Sequence, residues 1–592
     1  MQADRRTLLR DTSWFFLCVG ALLFLSGTRY LLAFTWPDEW IARVYVVAAS
    51  LGHFTLLGLA PWVAIVLPLA LLAPTALPEI RVLCVLSGAA LLAFVQIDSL
   101  VFVEDRFHVS ALALHVLGAP TWLFTSVYFL VGLVLCTFLL RAVTRRTSGP
   151  HAGRRAVSLA GAIGALFLVS QALHAWADVR YYVPITSFTP YLPLYRPLTG
   201  KHLLGRWLGS VDLQREREAS AIAELADAHE GMLDYPKQPL VCTPPPAPLN
   251  VLLIGLDAMR ADMVTDRVTP HIARFAADAL RFESHWSGGN GTRPGLFSLF
   301  YGIPATYWSA FYAAQKAPVL IETLQAHGYR MGVFPGNPAD QLVGLDRTAF
   351  RSVPNLPDTA GDVAVTEGWR HWIAAHPPDR PFFAFLFYES APGGCGPDRA
   401  RVSDVPVNAP GDAGRRSCYE TALHFADGQV ARALEGLETA GLRERTVVIV
   451  TSDHGEEFDE NGEGVRGHGS GYSRYQLQTP LLIQWPGRTR GRVQYRTSHN
   501  DVAPTLLGEL LGCTNDPSDY SSGKSLFAAR SWDWLVAASY TSHAILEPEQ
   551  VTVSYGSYYE VRDTDYHLVP DPRPDVEVLS RALRETGRFI RR

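Results

Sequence analysis

The first 176 residues of this 592-residue chain contain five apolar stretches that are each long enough to cross a lipid bilayer. A membrane-spanning helix needs about 20 consecutive apolar residues. The second stretch contains Pro61 and Pro68, so it could be kinked, tilted or partly interfacial. The first stretch is too long for a cleaved signal peptide, and more spans follow it. We therefore predict a multi-pass α-helical membrane domain of five spans over residues 1–176, with spans at 14–34, 46–72, 82–101, 122–140 and 157–175.

Arginines around these stretches predict which side of the membrane each end faces. Cytoplasmic loops of membrane proteins are enriched in Lys and Arg. Arginines precede the first stretch and also separate the fourth stretch from the fifth, at positions 5, 6, 10, 141, 145, 146, 154 and 155. Both segments should therefore be cytoplasmic. An odd number of spans then places everything after residue 176 outside the cytoplasm.

The composition excludes two broad classes of protein. The mean hydropathy is +0.07 and charged residues make up only 18% of the chain, so it is not a disordered chain. A net charge of −5 argues against the concentrated basic surface of a nucleic-acid-binding protein. Seven cysteines are too few for a disulfide scaffold. Cys395 and Cys418 could pair in an oxidising compartment or remain free buried thiols, and the sequence leaves both alternatives open.

Two further regions follow the membrane domain. Residues 177–248 begin Pro-rich, continue as a charged stretch and end in a stiff polyproline-like spacer, so we predict a juxtamembrane linker. Residues 249–592 alternate strand-like with helical runs, which predicts an α/β domain with a mostly parallel sheet. The strand-like runs are 251–256, 331–334, 382–387, 447–450, 481–485, 550–553 and 558–561, and a final helix is predicted near 576–584.

Two of the predicted strands end in groups that bind metal ions. Asp257 follows the run 251–256, and Asp453 and His454 follow the run 447–450. Ligands of open α/β sheets bind at the carboxyl ends of the strands, and carboxylate and imidazole groups bind divalent ions. We therefore predict that these three residues hold a divalent metal ion: Mg²⁺, Mn²⁺ or Zn²⁺. An isolated Asp at a strand end can instead cap a helix, which for Asp257 alone is an equally good interpretation.

A glycine-rich turn leads to Thr292, which precedes a short apolar run at 297–301. A helix N-terminus has free N–H groups and a positive end, which lower the pKa of a hydroxyl and attract an anionic ester. We predict that Thr292 is a nucleophile activated by direct contact with the metal; the alternative is a simple N-cap. His468, in the polar run after His454, is predicted to contact substrate or act as a general acid.

These motifs together resemble the sulfatase/alkaline-phosphatase superfamily. The resemblance rests on residues 250–260, 419–427, 451–456 and 498–505. It implies a sulfatase/alkaline-phosphatase-like α/β domain over residues 249–592, with metal-dependent phosphatase or phosphotransferase chemistry. Five spans followed by an extracytoplasmic domain resemble three groups of this superfamily: lipoteichoic acid synthases, lipid A phosphoethanolamine transferases and the inner-membrane PbgA/YejM proteins, which control lipopolysaccharide levels.

The segment after the last span resembles the lipid A-binding arch of the PbgA/YejM group, through residues 181–186 and 192–204. The resemblance implies a protein of the bacterial inner membrane whose C-terminal domain is periplasmic. It also implies binding of lipopolysaccharide and anionic phospholipid, and a membrane protein partner in the proteolytic control of lipid A synthesis. A generic basic anchor is the alternative. Apolar and phosphate-binding side chains are the predicted lipid-binding residues: Leu192, Leu194, Arg196, Leu198, Thr199, Lys201, His202 and Arg206.

The chain departs from the superfamily pattern at three places. Formylglycine sulfatases need Cys or Ser where Thr292 stands and Arg where Leu296 stands, so we do not expect a sulfatase of that kind. Ala258 replaces the second Asp of many sulfatases, which indicates one metal ion at most. The His that the transferases carry after the strand at 382–387 is missing. Two hypotheses follow: a lipopolysaccharide-binding regulator with a weakly active or vestigial hydrolase domain, or an active phosphoester hydrolase or phosphotransferase.

Overall fold

The computed structural model divides the chain into two compact units, residues 1–232 with 590–592, and residues 233–589. The predicted boundaries at 176/177 and 248/249 remain predictions. The structure describes residues 2–32, 36–37, 39–72, 77–105, 108–109, 119–147, 152–179, 185, 188–198, 233–336, 343–353, 360–377, 379–389, 395, 401–529, 531–540, 542–554, 559–570 and 575–591.

The first unit is a bundle of long apolar helices. Its helices are α1 Gln2–Leu32, α2 Trp40–Pro61, α3 Leu67–Leu72, α4 Leu77–Asp105, α5 Ala119–Arg146 and α6 Ala152–Val179. Helices α1 and α2 approach closely, since a Cβ placed on Gly58 would lie 2.7 Å from the Cα of Gly20. Small residues at such a crossing let two helix backbones pack against each other within a membrane.

The prediction of five membrane spans is confirmed. Within the described residues, five helical segments are long and apolar enough to cross a bilayer: Arg5–Leu32, Trp40–Leu72, Pro78–Val103, Phe124–Arg146 and Ala152–Ala177. The second span contains α2, a π-helical turn at Trp62–Val66 and α3. Pro61 lies directly before the π turn, and its missing N–H group breaks the regular hydrogen-bond pattern there. The proline is thus accommodated by local rewinding within a continuous span.

The second unit is built around a seven-stranded sheet. The strands of the unit up to residue 498 are β1 Asn250–Leu256, β2 Leu280–Phe282, β3 His285–Trp286, β4 Arg330–Pro335, β5 Phe382–Tyr388, β6 Thr446–Ser452, β7 Glu457–Phe458, β8 Arg466–Gly467, β9 Leu481–Gln484, β10 Gly491–Val493 and β11 Thr497–Ser498. The strand order of the seven-stranded sheet is β10-β2-β9-β6-β1-β5-β4, and four of the six neighbouring pairs are parallel. The predicted mostly parallel sheet is therefore confirmed.

Helices cover both faces of this sheet, so all seven residues of the interior strand β1 are buried. On one face, Trp369 belongs to the same apolar core as Leu252 of β1. On the other face, the ring of Phe300 meets that of Phe385 edge-on at 5.0 Å. The helices are α7 Pro270–Ala277, α8 Thr292–Tyr301, α9 Trp308–Ala313, α10 Val319–Ala326, α11 Asp362–Ala374, α12 Asp412–Thr439, α13 Arg474–Leu477, α14 Val502–Thr505 and α15 Val576–Glu585.

A separate antiparallel sheet follows near the C-terminus. Its strands are β12 Leu535–Ala538, β13 His543–Leu546, β14 Gln550–Ser554 and β15 Tyr559–Asp563. Within the described residues, they are ordered β12-β13-β14-β15. The sequence predicts β14 and β15 but not the first hairpin, whose small and apolar residues do not alternate.

Two disulfides occur in the second unit, Cys242–Cys513 and Cys395–Cys418. The sequence left open whether Cys395 and Cys418 pair or remain free thiols, and in the structure they pair. The first joins residues 271 positions apart and fastens the Pro-rich spacer to the segment after α14. Hydrogen bonds flank it, from Thr243 N–H to Gly512 O at 3.2 Å and from Thr514 N–H to Val241 O at 3.0 Å.

Removing the long-range disulfide should destabilise the second unit substantially. Closing so long a loop limits the unfolded chain, so we expect Cys242→Ala/Cys513→Ala to lower the free energy of unfolding by about 2–5 kcal/mol. Denaturant unfolding of the full-length protein in detergent, without reductant, measures this. Cys18→Ala removes a cysteine that forms no disulfide and serves as the control. An unchanged free energy of unfolding in the double variant would contradict the expectation.

Candidate metal centre

Asp257, Asp453 and His454 lie together at one edge of the seven-stranded sheet. Asp257 directly follows β1, and Asp453 and His454 directly follow β6. The two strands are parallel neighbours, with Leu256 paired to Ser452, so their ends meet. One ligand atom from each residue lies within 4.8 Å of the other two, and all three residues are buried. The predicted ligands therefore form one cluster.

Three oxygen atoms surround Nε2 of His454. This nitrogen lies 3.3 Å from Asp257 Oδ1, 3.4 Å from Asp453 Oδ2 and 3.3 Å from Thr292 Oγ1. Two atoms that are each about 2.1 Å from one tetrahedrally bound ion are about 3.4 Å apart. Asp257 Oδ1 and Asp453 Oδ2 are also buried without a hydrogen-bond partner among the described residues. The four atoms therefore fit one divalent ion, which would satisfy both orphaned carboxylate oxygens.

The other ring nitrogen of His454 sets the tautomer. Nδ1 lies 2.8 Å from the carbonyl oxygen of Gly455. A carbonyl oxygen only accepts hydrogen bonds, so Nδ1 donates and carries a proton. In the neutral ring, Nε2 then keeps the lone pair that a metal ligand needs.

Without an ion, the cluster holds protons strongly. Burial raises the pKa of Asp453 to about 7, and the nearby charge of Asp257 adds to the increase. Burial opposes a charge on His454, but the carboxylates of Asp453 and Asp257 outweigh it and raise the pKa of this histidine to about 10. A divalent ion would replace these protons, so its affinity should fall as the pH falls.

Backbone N–H groups orient the other oxygen of Asp453. Its Oδ1 accepts hydrogen bonds from the N–H of Ala258 at 3.0 Å and from the N–H of His454 at 2.9 Å. Ala258 is fully buried and has a φ of 60°, which is uncommon for a residue other than glycine. Its methyl group offers no ligand atom where many sulfatases have a second Asp. The ligand set is thus suited to a single ion.

Thr292 is the first residue of α8, and Gly291 is the N-cap. The interpretation of Thr292 as a simple N-cap is therefore wrong, and its hydroxyl lies beside His454 instead. The first turn of α8 packs tightly against the segment that carries Asp453. A Cβ placed on Gly295 would lie 2.2 Å from the carbonyl oxygen of Asp453, so only glycine permits this approach.

His468 returns to the cluster through a short hairpin. Strands β7 and β8 pair antiparallel, with Glu457 opposite Gly467, and His468 follows directly. Its ring centroid lies 4.6 Å from that of His454, and its Nδ1 lies 2.8 Å from Glu456 Oε2. The carboxylate of Glu456 therefore orients the partly exposed imidazole of His468 at the mouth of the cluster. The role of His468 as a general acid remains a prediction.

One residue beside the cluster has no role predicted from the sequence. Arg260 is only 2% exposed, and its guanidinium pairs with Asp262 and Glu460. It also donates to Glu456 O at 3.3 Å and stacks on Tyr475 at 4.5 Å. Arg260 thus holds the loop that contains Glu456 and Glu460 against the end of β1. Its only sequence signal is its place in the segment 250–260, which resembles the superfamily.

The predicted lipid-binding residues lie in the first unit, and four of them are within the described segment 188–198. Leu194 and Leu198 are 49% and 63% exposed, and Arg196 is exposed. Leu192 is only 2% exposed and packs in the apolar core of the bundle. It is therefore removed from the lipid-binding set, because its side chain is already buried by protein. The other predicted residues lie outside the described residues: Thr199, Lys201, His202 and Arg206.

Buried polar side chains of the helices hold this segment. His53 Nε2 lies 2.8 Å from Pro193 O, and His174 Nδ1 lies 2.9 Å from Leu198 O. Gln171 Oε1 accepts from the N–H of Leu198 at 3.0 Å, and the hydroxyls of Tyr45 and Tyr195 are 3.2 Å apart. The backbone is thus fastened to the bundle, while alternate side chains face away from it.

Two family models match this chain. Residues 249–512 match the family model described as Sulfatase, and residues 1–242 match a domain of unknown function, DUF3413. Among solved structures, the lipoteichoic acid synthase LtaP of Listeria monocytogenes is 15% identical with a TM-score of 0.46, covering 62% of this chain and 96% of that one. The second unit therefore contains a sulfatase-like α/β domain, and the first unit contains the five candidate membrane helices.

Relatives match over nearly the whole chain. The inner membrane protein YejM of Salmonella typhi is 28% identical, covering 98% of this chain and 96% of the relative. An uncharacterized protein of Haemophilus influenzae is 26% identical, covering 99% of this chain and 97% of the relative. The chain is therefore a YejM-like inner membrane protein with a sulfatase-like domain.

Proposed function

We propose that this chain binds lipopolysaccharide through lipid A at the periplasmic face of the inner membrane and regulates lipopolysaccharide synthesis. Outer-membrane homeostasis depends on that regulation. Anionic phospholipid is a further ligand of the same surface. The chain signals lipid binding to a membrane protein partner that takes part in the proteolytic control of lipid A synthesis. The sulfatase-like domain is weakly active or vestigial in this role.

The observation that carries the proposal is the exposed face of segment 188–198. Leu194 and Leu198 are largely exposed on either side of the exposed Arg196. Apolar side chains that enter the lipid interface beside a cation suit a lipid that carries both acyl chains and phosphates. The bonds from His53, His174 and Gln171 hold this face in place, so little conformational entropy is lost when lipid binds.

A periplasmic location of the second unit is supported by two independent features. The arginines before the first span and between the fourth and fifth favour the cytoplasm for those segments. The disulfides Cys242–Cys513 and Cys395–Cys418 are typical of an oxidising compartment such as the periplasm.

A second candidate function, hydrolysis or transfer of a phosphoester, is favoured by the cluster around His454 Nε2. In this function, Thr292 Oγ1 attacks phosphorus and its proton passes to solvent, while the bond from phosphorus to the alcohol oxygen breaks and His468 donates a proton to that oxygen. Water then attacks phosphorus, the bond from phosphorus to Thr292 Oγ1 breaks, and Oγ1 takes up a proton as the phosphate product leaves. One ion, Mg²⁺, Mn²⁺ or Zn²⁺, held by Asp257, Asp453 and His454, would lower the pKa of that hydroxyl and neutralise phosphoryl charge. A lipid donor would make the reaction a phosphoethanolamine or glycerophosphate transfer.

Reversing the charge at the lipid-binding face tests the first function. We expect Arg196→Glu/Lys201→Glu to weaken lipopolysaccharide binding by the full-length protein at least about tenfold, because two phosphate contacts become repulsive. Calorimetric titration in detergent measures the affinity. Arg490→Glu/Arg492→Glu makes the same charge change at arginines that are 68% and 72% exposed in the second unit and should bind like wild type.

The same variant, compared with Thr292→Ala in cells, separates the two functions. A regulator that acts by binding lipid loses control of the lipopolysaccharide level when Arg196 and Lys201 are reversed, and keeps it when Thr292 is replaced. If Thr292→Ala alone abolishes function while the charge-reversed variant behaves as wild type, the regulatory proposal is wrong.

A further inference from the structure

The hairpin between β12 and β13 lies against the loop that leads to Thr292. The N–H of Ala538 donates to Gly288 O at 2.9 Å, and the N–H of Asn290 donates to Ala538 O at 3.2 Å. Strand β12 therefore pairs with the glycine-rich loop itself. The C-terminal sheet thereby forms part of the wall of the candidate metal centre.

Tyr540, at the tip of this hairpin, reaches the beginning of α8. A Cβ on Gly291 would lie 3.1 Å from Cε2 of Tyr540, so glycine makes room for the ring beside Thr292. Partial burial raises the pKa of Tyr540, with further increases from the charges of Asp257 and Asp453, while Arg293 opposes the change through its charge and a hydrogen bond from its backbone N–H. The side chain is still 53% exposed, so it lies at the rim of the cluster.

Arg293 lies between two aromatic rings at this rim. Its guanidinium carbon is 5.4 Å from the ring centroid of Tyr540 and 5.1 Å from that of Trp308. Cation–π contacts on two sides restrict the side chain. Arg293 directly follows Thr292 in the first turn of α8, where the helix dipole adds to its positive charge.

A phosphoester bound at the cluster needs a positively charged group in addition to the divalent ion. Asp257 and Asp453 bring two negative charges, which cancel those of one divalent ion. A phosphoester anion then needs a further positive group, and a planar guanidinium matches two phosphate oxygens. The sequence lacks the His that related transferases carry after β5.

We propose that Arg293, held between Tyr540 and Trp308, binds the phosphate oxygens of an anionic phosphoester beside Thr292. Tyr540 is a positioning residue that keeps the guanidinium at the rim. The inference rests on the phosphoester function proposed above and names the group that recognises its substrate. It also gives the C-terminal sheet a direct part in the site.

Calorimetric titration of the full-length protein in detergent with inorganic phosphate, at saturating Mn²⁺, tests the proposal. We expect Arg293→Gln to raise the Kd for phosphate about tenfold or more, since a bond between charged partners is lost, with the Kd for Mn²⁺ unchanged. Arg293→Lys keeps the positive charge but lacks the paired N–H donors of the guanidinium. Its Kd for phosphate should therefore lie between those of Arg293→Gln and wild type. Tyr540→Ala should raise the phosphate Kd several-fold and Tyr540→Phe should raise it less. Arg492→Gln is the surface control.

Two results would overturn the proposal in distinguishable ways. If wild type binds Mn²⁺ but no phosphate, both this inference and the phosphoester function fail. If wild type binds phosphate and the Gln and Lys variants bind it equally well, only the assignment of Arg293 fails. Should Arg293→Gln not fold, the Lys variant alone decides, since it is expected to bind phosphate measurably more weakly than wild type.

Discussion

Replacing Thr292 with alanine is expected to lower the rate of phosphoester hydrolysis by about a thousandfold or more. The variant lacks the hydroxyl that lies 3.3 Å from His454 Nε2, and losses of this order follow removal of a nucleophile. Ion binding should weaken only modestly, because Asp257, Asp453 and His454 remain. A selective loss of rate is therefore the signature of a nucleophile rather than of a structural residue.

Hydrolysis of bis(p-nitrophenyl) phosphate by the full-length protein in detergent with Mn²⁺ measures this rate. Thr292→Ser is the matched variant, since it keeps the hydroxyl and removes only a methyl group, and it should retain activity within about tenfold. Equal activity of the alanine variant and wild type would exclude Thr292 as the nucleophile. If the wild-type protein has no activity, the phosphoester function fails and only the regulatory function remains.

Asp453→Asn is expected to weaken divalent-ion binding by about a hundredfold or more. Asp453 Oδ2 is buried and lacks a hydrogen-bond partner among the described residues, and an amide is a far weaker ligand than a carboxylate. The asparagine Oδ1 can still accept from Ala258 N–H and His454 N–H, as Asp453 Oδ1 does. The ion-free variant should therefore fold, and at pH 8 it should be at least as stable as ion-free wild type, because a buried charge is gone.

Calorimetric titration with Mn²⁺ measures the affinity, and thermal unfolding in EDTA measures the ion-free stability. Asp278→Asn makes the same substitution at a carboxylate that is 65% exposed and should change neither. In wild type the affinity should fall as the pH drops below about 10, because the ion must then replace a proton on His454. It should fall more steeply below about 7, because protons then also occupy Asp453. Undiminished Mn²⁺ affinity in Asp453→Asn would show that Asp453 is not a ligand.

Much of the fold is predictable because its elements have strong local patterns. Span Ala152–Ala177 is recognised by length and apolar composition alone. Strands β1 and β6 are continuous apolar runs between polar residues, as expected for strands buried on both faces. The hairpin of β12 and β13 has no such apolar run and was not predicted. It is stabilised instead by pairing with β14 and with the loop before Thr292, which are not its neighbours in any local pattern.

The candidate site was predictable only in part, for a related reason. The rule that ligands bind at strand ends indicates Asp257 and Asp453, because their positions follow from local structure. Leu192 and Leu194 are only two residues apart in the same segment, yet one is buried in the bundle and the other is 49% exposed. That difference depends on how His53 and His174 bind the backbone, which the segment itself does not encode.

The sequence by itself determined the five spans, the mostly parallel sheet and the residue types available for metal binding, since hydropathy and strand patterns act over a few neighbouring residues. Only the tertiary structure decided which atoms meet. It brings Thr292 Oγ1 to His454 Nε2, pairs Cys242 with Cys513 and sets Tyr540 beside Arg293. These contacts join residues far apart in the chain, and their geometry follows from the packing of whole strands and helices rather than from any local pattern.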